Sequence, residues 1–362
     1  MSQNNKKIII ATGGTGGHIF PSLSLADFLK EEYDIEITTD RRGLKYLKNL
    51  DNINIKIINS NTIFNKNILK IFTAVINITF STIYSFAMII KSKPKIVIGM
   101  GGYSSFPVCL AACFLRVPVL IYENNLILGR ANKFLLPFVK KILVSTNSIS
   151  GIDSKYKHKV FFSGYLLRSQ IFNLEKNDFE LDKKELSILI IGGSQSAKIF
   201  SEALPIVIKN CCKNNIKFKI YQQCSDVDRD EIKKIYAKLN IDFKLFSFSD
   251  DLFEYYKKTD LAITRSGASS IAELINLRIP FVAIPLPSST DNHQFENAFY
   301  FKNKGYCFLL EEKFIHDKLF KILKDLNKDR KKLLSLKKKM SEHSDKDAIS
   351  KIHKLIKTTL NV

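Results

Sequence analysis

The sequence predicts an α/β protein with two domains, each built around a parallel β-sheet. Ile8–Ile10 form a β-branched run typical of a buried parallel strand, and four glycines follow between positions 13 and 17, before a helical pattern begins. The same order of strand, glycine turn and helix returns at Leu186–Phe200. At 362 residues the chain is long enough for two such units. Together these observations favour two Rossmann-like domains.

The predicted first domain covers residues 1–163 and the second covers 186–340. Between them, residues 164–185 change from mixed to strongly charged composition, which favours a linker. The last fifty residues are rich in lysine with a helical period, and we interpret them as a solvated pair of helices. Residues 341–362 form a C-terminal helix in this interpretation, one that can pack back on the first domain.

The composition excludes several classes of protein. A mean hydropathy of −0.03 argues against a polytopic membrane protein, and the opening MSQNNKK leads directly into the first strand, which predicts no signal peptide. Six cysteines without a CxxC suit reduced thiols in a cytosol. The net charge is +21, yet only nine of the 56 basic residues are arginine. That balance favours an anionic membrane surface or anionic substrates, and no nucleic-acid partner is predicted.

Two helical segments bear on membrane binding. Residues 71–90 lack formal charge over a length that could span a bilayer, but a polar residue recurs every four positions, at Thr73, Asn77, Ser81 and Ser85. That stripe favours an amphipathic helix lying on a sheet or on a membrane surface. A helix predicted over Ala131–Lys141 carries apolar residues among lysines. It fits either an interfacial patch or an ordinary helix seated on the sheet.

The first glycine turn leads to the first functional hypothesis. A strand, a glycine loop and a helix N-terminus together favour an anion site, the alternative being a tight turn without a ligand. His18 follows the loop and can act as a base or a hydrogen-bond donor, or only cap the helix. The loop is not a sound dinucleotide fingerprint, because Ile19 occupies the third glycine position. Asp40, near the end of the second strand, keeps a dehydrogenase open as an alternative.

Two further stretches predict binding groups in the second half. In RSGASSIAEL, amides near Ala268–Ser270 can hold a diphosphate, and Glu273 can accept hydrogen bonds from ribose hydroxyls. Alternatively, Ser270 and Glu273 form a capping box that only closes the helix. Gln294 and Asn297 are one helical turn apart, and amides suit sugar hydroxyls.

Asp226 and Asp228 raise the question of a metal. They match the DxD of metal-dependent glycosyltransferases, but they lie in a charged run typical of an exposed helix start with a capping aspartate. No HExxH, Cys/His cluster or G-x-S-x-G is present in the sequence. We therefore predict neither a metal nor another cofactor.

A family resemblance covers most of the chain. The segments GGTGGHIFP, GMGGYSSFP, Glu-x-Asn at 123–125, GGSQ at 192–195, RSGASSIAE and DNHQFENA resemble, in order and spacing, those of the MurG family. These are bacterial enzymes that transfer N-acetylglucosamine from UDP-N-acetylglucosamine to a lipid-linked muramoyl pentapeptide. The chain departs from the family pattern at Tyr122, where histidine is usual, and at Tyr165–Leu166, where Asn-Pro is usual.

The resemblance implies a GT-B fold, in which two Rossmann-like domains face each other across a cleft, and it assigns site residues by motif. The implied donor contacts are Thr15, Gly16, Gly17, Asn125, Arg168, Ser194, Ser249, Ala268, Ser269, Ser270, Ile271, Ala272, Glu273 and Gln294. Among these, residues 15–17 reach the donor from across the cleft, Ser249 contacts the uracil and Gln294 the amino sugar. Gly101, Gly102, Tyr103 and Ser104 are the implied site for the acceptor pyrophosphate. From its chemistry, His18 is the predicted catalytic residue, as the general base or as the group that positions the nucleophile.

The implied activity is inverting transfer to the 4-hydroxyl of undecaprenyl-pyrophosphoryl-N-acetylmuramoyl-pentapeptide (lipid I), which yields lipid II. The implied location is the cytoplasmic face of the inner membrane, bound peripherally, where other cell-wall synthesis proteins are possible partners. Another GT-B enzyme, such as a diacylglycerol glucosyltransferase or a UDP-sugar epimerase, is the alternative. A basic nucleic-acid-binding protein is the competing class, but it gives the glycine loops no role.

Overall fold

A computed structural model describes residues 6–47, 53–58, 68–174, 185–192, 197–247 and 252–361. The chain divides into two compact units, one comprising Met1–Arg168 with Asp345–Val362 and the other Ser169–Ser344. The chain thus leaves the first unit at residue 168 and returns to it at residue 345. Part of the predicted linker, residues 175–184, lies outside the described residues.

Parallel strands alternate with helices along both units. The strands are β1 (Lys7–Ala11), β2 (Asp34–Thr39), β3 (Asn54–Ile57), β4 (Ile96–Gly99), β5 (Val119–Glu123), β6 (Lys141–Val144), β7 (Val160–Phe162), β8 (Leu186–Ile191), β9 (Phe218–Gln223), β10 (Asp242–Phe246), β11 (Leu261–Thr264), β12 (Phe281–Ala283) and β13 (Cys307–Leu309). The helices are α1 (Gly16–Leu29), α2 (Ile68–Ser92), α3 (Ser105–Phe114), α4 (Arg130–Leu135), α5 (Ser169–Phe172), α6 (Ala197–Lys213), α7 (Asp226–Lys238), α8 (Leu252–Lys257), α9 (Ala268–Asn276), α10 (His293–Asn303), α11 (Ile315–Lys328), α12 (Lys331–Met340) and α13 (Ala348–Thr359). Short 3₁₀ helices cover Leu44–Tyr46, Ser154–Lys159, Thr290–Asn292 and Glu312–Phe314.

The first unit has a seven-stranded parallel sheet in the order β3-β2-β1-β4-β5-β6-β7. Alternate residues of β1 serve its two faces. Ile8 and Ile10 lie in a core shared with α1 and α13, whereas Ile9 and Ala11 lie in a core shared with α2, α3 and α4. All four side chains are fully buried, as expected of a central strand covered by helices on both faces. The strand–turn–helix pattern at the start of the chain is therefore confirmed.

The second unit repeats the plan with six parallel strands in the order β10-β9-β8-β11-β12-β13. Its core joins β8 to α6, α7 and α11. The prediction of a solvated pair of terminal helices is wrong, because Leu319, Leu323 and Leu326 of α11 are buried in this core. The terminal region contains three α-helices, and the last, α13, buries Ile352 and Ile356 in the first unit.

The predicted amphipathic helix is α2, but its buried face differs from the one that the polar stripe suggests. Ser81 and Ser85 of that stripe are buried, together with Met88 and Ile89, whereas Phe80 is 68% exposed. The Ser85 hydroxyl is satisfied within the helix, since it donates to the carbonyl of Ser81 at 2.7 Å. By length and composition alone, Phe72–Ser92 could cross a membrane; 28% of its most apolar window is buried.

The helix predicted over Ala131–Lys141 is wrong in its extent. The helix α4 ends at Leu135, and Lys141 begins the next strand. Pro137 explains the early end, because it has no backbone N–H with which to continue the helical hydrogen bonds. The exposed Phe134 and Phe138 therefore lie on a short helix and the turn after it.

Candidate active site

Both glycine turns of the first unit lie at one point of its sheet. The order of strands reverses between β1 and β4, which are hydrogen-bonded neighbours. Open parallel sheets bind ligands at the carboxyl ends of the strands beside such a switch point. Residues 12–15 follow β1 and residues 100–104 follow β4, so the topology brings the two turns together.

His18 lies at the junction of these turns, in the first turn of α1. Gly101 has a φ of +90°, and a Cβ there would lie 2.7 Å from Nδ1 of the His18 ring. A Cβ at Gly102 would lie 2.4 Å from the carbonyl oxygen of Gly13. The second turn must therefore be glycine where it meets the imidazole and the first turn. Ser104 completes the junction, since its buried hydroxyl donates to the carbonyl of Thr12 at 2.9 Å.

The Asp40 carboxylate braces the first turn. It accepts hydrogen bonds from the backbone amides of Gly14 at 3.3 Å and Gly43 at 2.9 Å, and it pairs with the Arg42 guanidinium at 2.6 Å. The side chain is almost fully buried. Asp40 therefore holds the loop in place. These contacts do not support the alternative in which Asp40 binds the ribose of a nicotinamide cofactor.

Asn125 is held by a buried carboxylate at the end of β5. Glu123 Oε1 accepts from the backbone amide of Asn125 at 3.1 Å and from its side-chain amide at 3.0 Å. The other oxygen, Oε2, accepts from Gly129 at 2.8 Å and from Asn132 at 3.0 Å. Asn124 donates to the carbonyl of Gly17 at 3.1 Å, which connects this segment to α1. In the sequence, Glu123 belongs to the Glu-x-Asn motif, and no local pattern marks its carboxylate as the centre of this network.

The remaining predicted residues of the first unit surround the start of α1. Thr15 is the exposed N-cap residue, with extended backbone, and Gly16 and Gly17 open the helix. The Arg168 guanidinium lies over the ring of Phe20 at 5.0 Å. The Arg168 cation therefore lies beside α1, and the N-terminus of that helix suits an anionic ligand.

In the second unit, β8 and β11 adjoin at the corresponding reversal of strand order. The helix that follows β11 begins at Ala268, with Gly267 as its N-cap and no side-chain cap. The predicted capping box is therefore wrong, because Ser270 lies inside the first helical turn. A Cβ added at Gly267 would meet no described atom within 4 Å, so the backbone before α9 borders open space. Amides of the first turn point out of this helix end, where the macrodipole favours an anion.

Glu273 lies one turn further along α9. Its Oε2 accepts a hydrogen bond from the Tyr256 hydroxyl at 2.8 Å, and both side chains are more than nine-tenths buried. Ser269 and Ser270 are half-buried, whereas Ile271 and Ala272 are fully buried core residues. Of residues 268–273, Glu273 is the one that carries a carboxylate, and the Tyr256 hydroxyl fixes one of its oxygens.

Gln294 and Asn297 brace the turn after β11. Gln294 Oε1 accepts from the backbone amides of Ser266 at 3.2 Å and Leu286 at 3.0 Å. Asn297 is fully buried and donates to the Ser266 carbonyl at 3.2 Å, so its amide supports the turn. Gln294 is half-buried, and the oxygen of its amide is engaged in these contacts. A sugar contact from Gln294 would therefore come from its NH₂ group.

Sequence reasoning missed Arg265, which also holds this turn. The nearly buried guanidinium donates to the carbonyls of Ile284 and Pro285 and forms an ion pair with Glu312. It also lies over the ring of Phe200 at 5.1 Å. The one available signal was a charged residue placed directly after the apolar strand 261–264.

Three predictions remain: the donor contacts Ser194 and Ser249, the capping aspartate of α7, and the absence of a metal site. Ser194 and Ser249 lie outside the described residues. Asp226 and Asp228 begin α7, where Ser225 is the capping residue, so the predicted aspartate cap is wrong. Across the described residues, no group of three His, Cys, Asp or Glu side chains is arranged to hold a metal ion.

Domain comparisons match this two-unit architecture. Residues 8–144 match the glycosyltransferase family 28 N-terminal domain, and residues 187–352 match the glycosyltransferase family 28 C-terminal domain.

Two relatives and a solved structure resemble the chain over 83–99% of its length. A protein of Pelagibacter ubique (strain HTCC1062), named UDP-N-acetylglucosamine–N-acetylmuramyl-(pentapeptide) pyrophosphoryl-undecaprenol N-acetylglucosamine transferase, is 40% identical over 99% of this chain and 99% of the relative. A protein of the same name from Rickettsia felis is 37% identical over 83% of this chain and 86% of the relative. The crystal structure of Acinetobacter baumannii MurG matches with a TM-score of 0.78 and 26% identity, covering 98% of this chain and 99% of that chain.

Proposed function

The chain belongs to the family of UDP-N-acetylglucosamine–N-acetylmuramyl-(pentapeptide) pyrophosphoryl-undecaprenol N-acetylglucosamine transferases, and we propose that it forms lipid II. The donor is UDP-N-acetylglucosamine and the acceptor is the 4-hydroxyl of the muramoyl sugar in lipid I. The observation that carries this proposal is the open turn before α9, which combines a helix N-terminus with the Glu273 carboxylate. A nucleoside diphosphate carries two negative phosphates and a ribose diol, and this pair of groups complements both.

The reaction is a single displacement with inversion. The acceptor oxygen forms a bond to the anomeric carbon of N-acetylglucosamine, while the bond from that carbon to the β-phosphate oxygen breaks. UDP leaves with the electron pair, and the first-turn amides of α9 stabilise the charge that develops on it. The proton of the acceptor hydroxyl goes to His18, which acts as the general base.

The position of His18 supports its assignment as base. Its ring packs on Gly101, where the turns that follow β1 and β4 meet. In this proposal the turn of residues 101–104 binds the acceptor pyrophosphate through its backbone. The Ser104 hydroxyl already donates to Thr12, so its contribution is to shape the turn.

The activity is tested by transfer of labelled N-acetylglucosamine to a short-chain lipid I analogue, with UDP release as the second readout. Without acceptor, an epimerase would instead convert UDP-N-acetylglucosamine to an isomer, which chromatography detects. His18→Ala should lower kcat by about 10²–10⁴-fold, the usual contribution of general-base catalysis. His158→Ala, at an exposed histidine of the same unit, is the matched control and should retain activity. A near-normal kcat in His18→Ala contradicts the assignment of the base.

We also propose that the protein binds the cytoplasmic face of the inner membrane peripherally. The support is an exposed apolar face on the first unit, formed by the side chains of Phe72, Phe80, Ile83, Tyr84, Phe114, Phe134 and Phe138. Ring contacts join its helices, since Phe86 of α2 lies 6.1 Å from Phe114 and Phe106 of α3 lies 5.4 Å from Phe134. Soluble proteins rarely expose so many large apolar side chains together.

Exposed basic residues flank this apolar face in the sequence, at Lys91, Lys93, Lys95, Arg116, Lys133 and Lys140. Each basic residue near an anionic lipid surface contributes about 1 kcal/mol, and each inserted phenylalanine about 2–3 kcal/mol. Peripheral binding is favoured over a membrane span because α2 buries Ala74, Met88 and Ile89, and a span would expose that face to lipid.

Sedimentation with phosphatidylglycerol vesicles and with neutral phosphatidylcholine vesicles tests the membrane proposal. Binding to the anionic vesicles should weaken with salt, and Phe80→Ser should reduce it. Phe299→Ser removes an exposed phenylalanine from the second unit and is the matched control. Equal sedimentation of Phe80→Ser and the parent protein, or no sedimentation of the parent at low salt, contradicts the proposal.

A further inference from the structure

The carboxylate of Glu273 needs a fixed direction if it is to recognise a ribose. A glutamate side chain has three rotatable bonds and several rotamers, and only some of them point both oxygens toward a ligand at the helix end. The N-cap residue, Gly267, has no side chain that could bond the Glu273 carboxylate and so select one rotamer. A group outside α9 can do so.

Tyr256 on α8 supplies such a group. Its hydroxyl donates to Glu273 Oε2 at 2.8 Å, and its side chain is 1% exposed. A tyrosine ring has two side-chain torsions, and burial holds them, so the hydroxyl has a defined position. The Phe253 ring packs edge-on against it, with centroids 6.4 Å apart. The donor is therefore rigid, and it is aimed at one carboxylate oxygen.

The contact is compatible with ribose binding. A carboxylate offers about four acceptor positions on its two oxygens, so the bond to the Tyr256 phenol does not by itself exclude ribose hydroxyls. Hydrogen bonds to an ionised acceptor are also the stronger kind, which favours a single arrangement of the carboxylate.

We propose that Tyr256 is a positioning residue for nucleoside recognition, which holds the Glu273 carboxylate in the orientation that accepts the ribose hydroxyls. Tyr256 lies on α8 and Glu273 on α9, so the contact joins two helices of the second unit. The inference rests on the proposed function, since it needs a uridine nucleotide at α9.

The experiment measures binding of UDP and of 2′-deoxy-UDP to the full chain by isothermal titration calorimetry. The variants are Tyr256→Phe and Glu273→Gln. Tyr255→Phe is the matched control: it removes a tyrosine hydroxyl from the same helix, and the Tyr255 ring stacks on Phe246 at 4.4 Å. Tyr256→Phe should weaken UDP binding by about five- to tenfold, as expected for loss of one hydrogen bond that orients a charged acceptor. Binding of 2′-deoxy-UDP should change less, so the preference for UDP shrinks. Tyr255→Phe should leave both affinities unchanged.

A double variant separates positioning from general damage. In the Glu273→Gln background, Tyr256→Phe should cause little further loss of UDP affinity, because the two side chains act as one unit. Equal loss for both nucleotides in Tyr256→Phe, or an intact preference for UDP, overturns the inference while leaving the proposed function standing. Absence of UDP binding by the parent chain overturns the proposed function itself.

Discussion

Tyr122 and Leu166 depart from the family pattern at positions that contact each other. The backbone N–H of Leu166 donates to the Tyr122 hydroxyl at 3.1 Å, and both residues are buried. The family usually has proline at the position of Leu166, and proline has no N–H. Leucine therefore introduces a buried donor that needs an acceptor, and the tyrosine supplies one. Burial holds the pKa of the Tyr122 phenol well above its ordinary value, so the hydroxyl stays protonated.

Tyr122→Phe should leave that N–H without its acceptor. An unsatisfied buried donor costs about 1–3 kcal/mol. For a unit of this size, each kcal/mol lowers Tm by about 2–4 °C, which predicts a fall of about 2–12 °C. The measurement is thermal unfolding of the first unit, followed by circular dichroism and by calorimetry.

Leu166→Pro removes the donor and completes the test. On its own it destabilises the core, since the Leu166 side chain is 2% exposed. In that background, however, Tyr122→Phe should cost much less than in the parent, because no N–H remains to be satisfied. Tyr33→Phe, in the same core, is the control and should cost the same in both backgrounds. An equal cost of Tyr122→Phe in the two backgrounds refutes the compensation argument.

Three further perturbations test other parts of the structure. Gly101→Ala places a Cβ 2.7 Å from the His18 ring, which must then move. A displacement of the imidazole approaching 1 Å should lower kcat by about 10–100-fold in the transfer assay. An unchanged rate contradicts the packing of His18 on that turn. Ile352→Ala empties a fully buried site in the first core and should lower the free energy of unfolding by about 2–4 kcal/mol, whereas an unchanged Tm would show that α13 contributes little. Burial raises the pKa of Cys113 to about 11. Iodoacetamide at pH 8 should therefore label this thiol far more slowly in the native chain than in the denatured chain, as followed by mass spectrometry. Equal labelling rates contradict the burial.

The fold could be predicted because its signals are local. A β-branched run followed by a glycine turn identifies a central parallel strand, and the predicted strand Ile8–Ile10 lies within β1. The face that a helix buries is a different matter. Ser81 and Ser85 lie inward because small residues allow close packing and Ser85 satisfies its hydroxyl within the helix. A four-residue polar period therefore predicted the helix and not its orientation.

The candidate site was predictable where a motif is contiguous and not where contacts join distant elements. Residues 268–273 do form a helix N-terminus after a strand. The Tyr256–Glu273 contact crosses from one helix to another, and nothing in either local sequence marks it. The capping box failed for a different reason, because α9 begins three residues before the predicted start, with Gly267 as its N-cap. Sequence periodicity does not determine which of two candidate caps, three residues apart, begins the helix.

The two glycine turns of the first unit show how topology changes the meaning of a motif. From the sequence, glycines 13–17 and 101–102 both suggest close approach to a ligand. The order of strands places the turns side by side, and there a Cβ at Gly102 would meet the Gly13 carbonyl and a Cβ at Gly101 would meet His18. These two glycines are therefore required by the protein's own packing. A ligand can still use the backbone amides of the turn, but the His18 ring packs against that turn. A change at the predicted base should therefore also disturb the predicted pyrophosphate site.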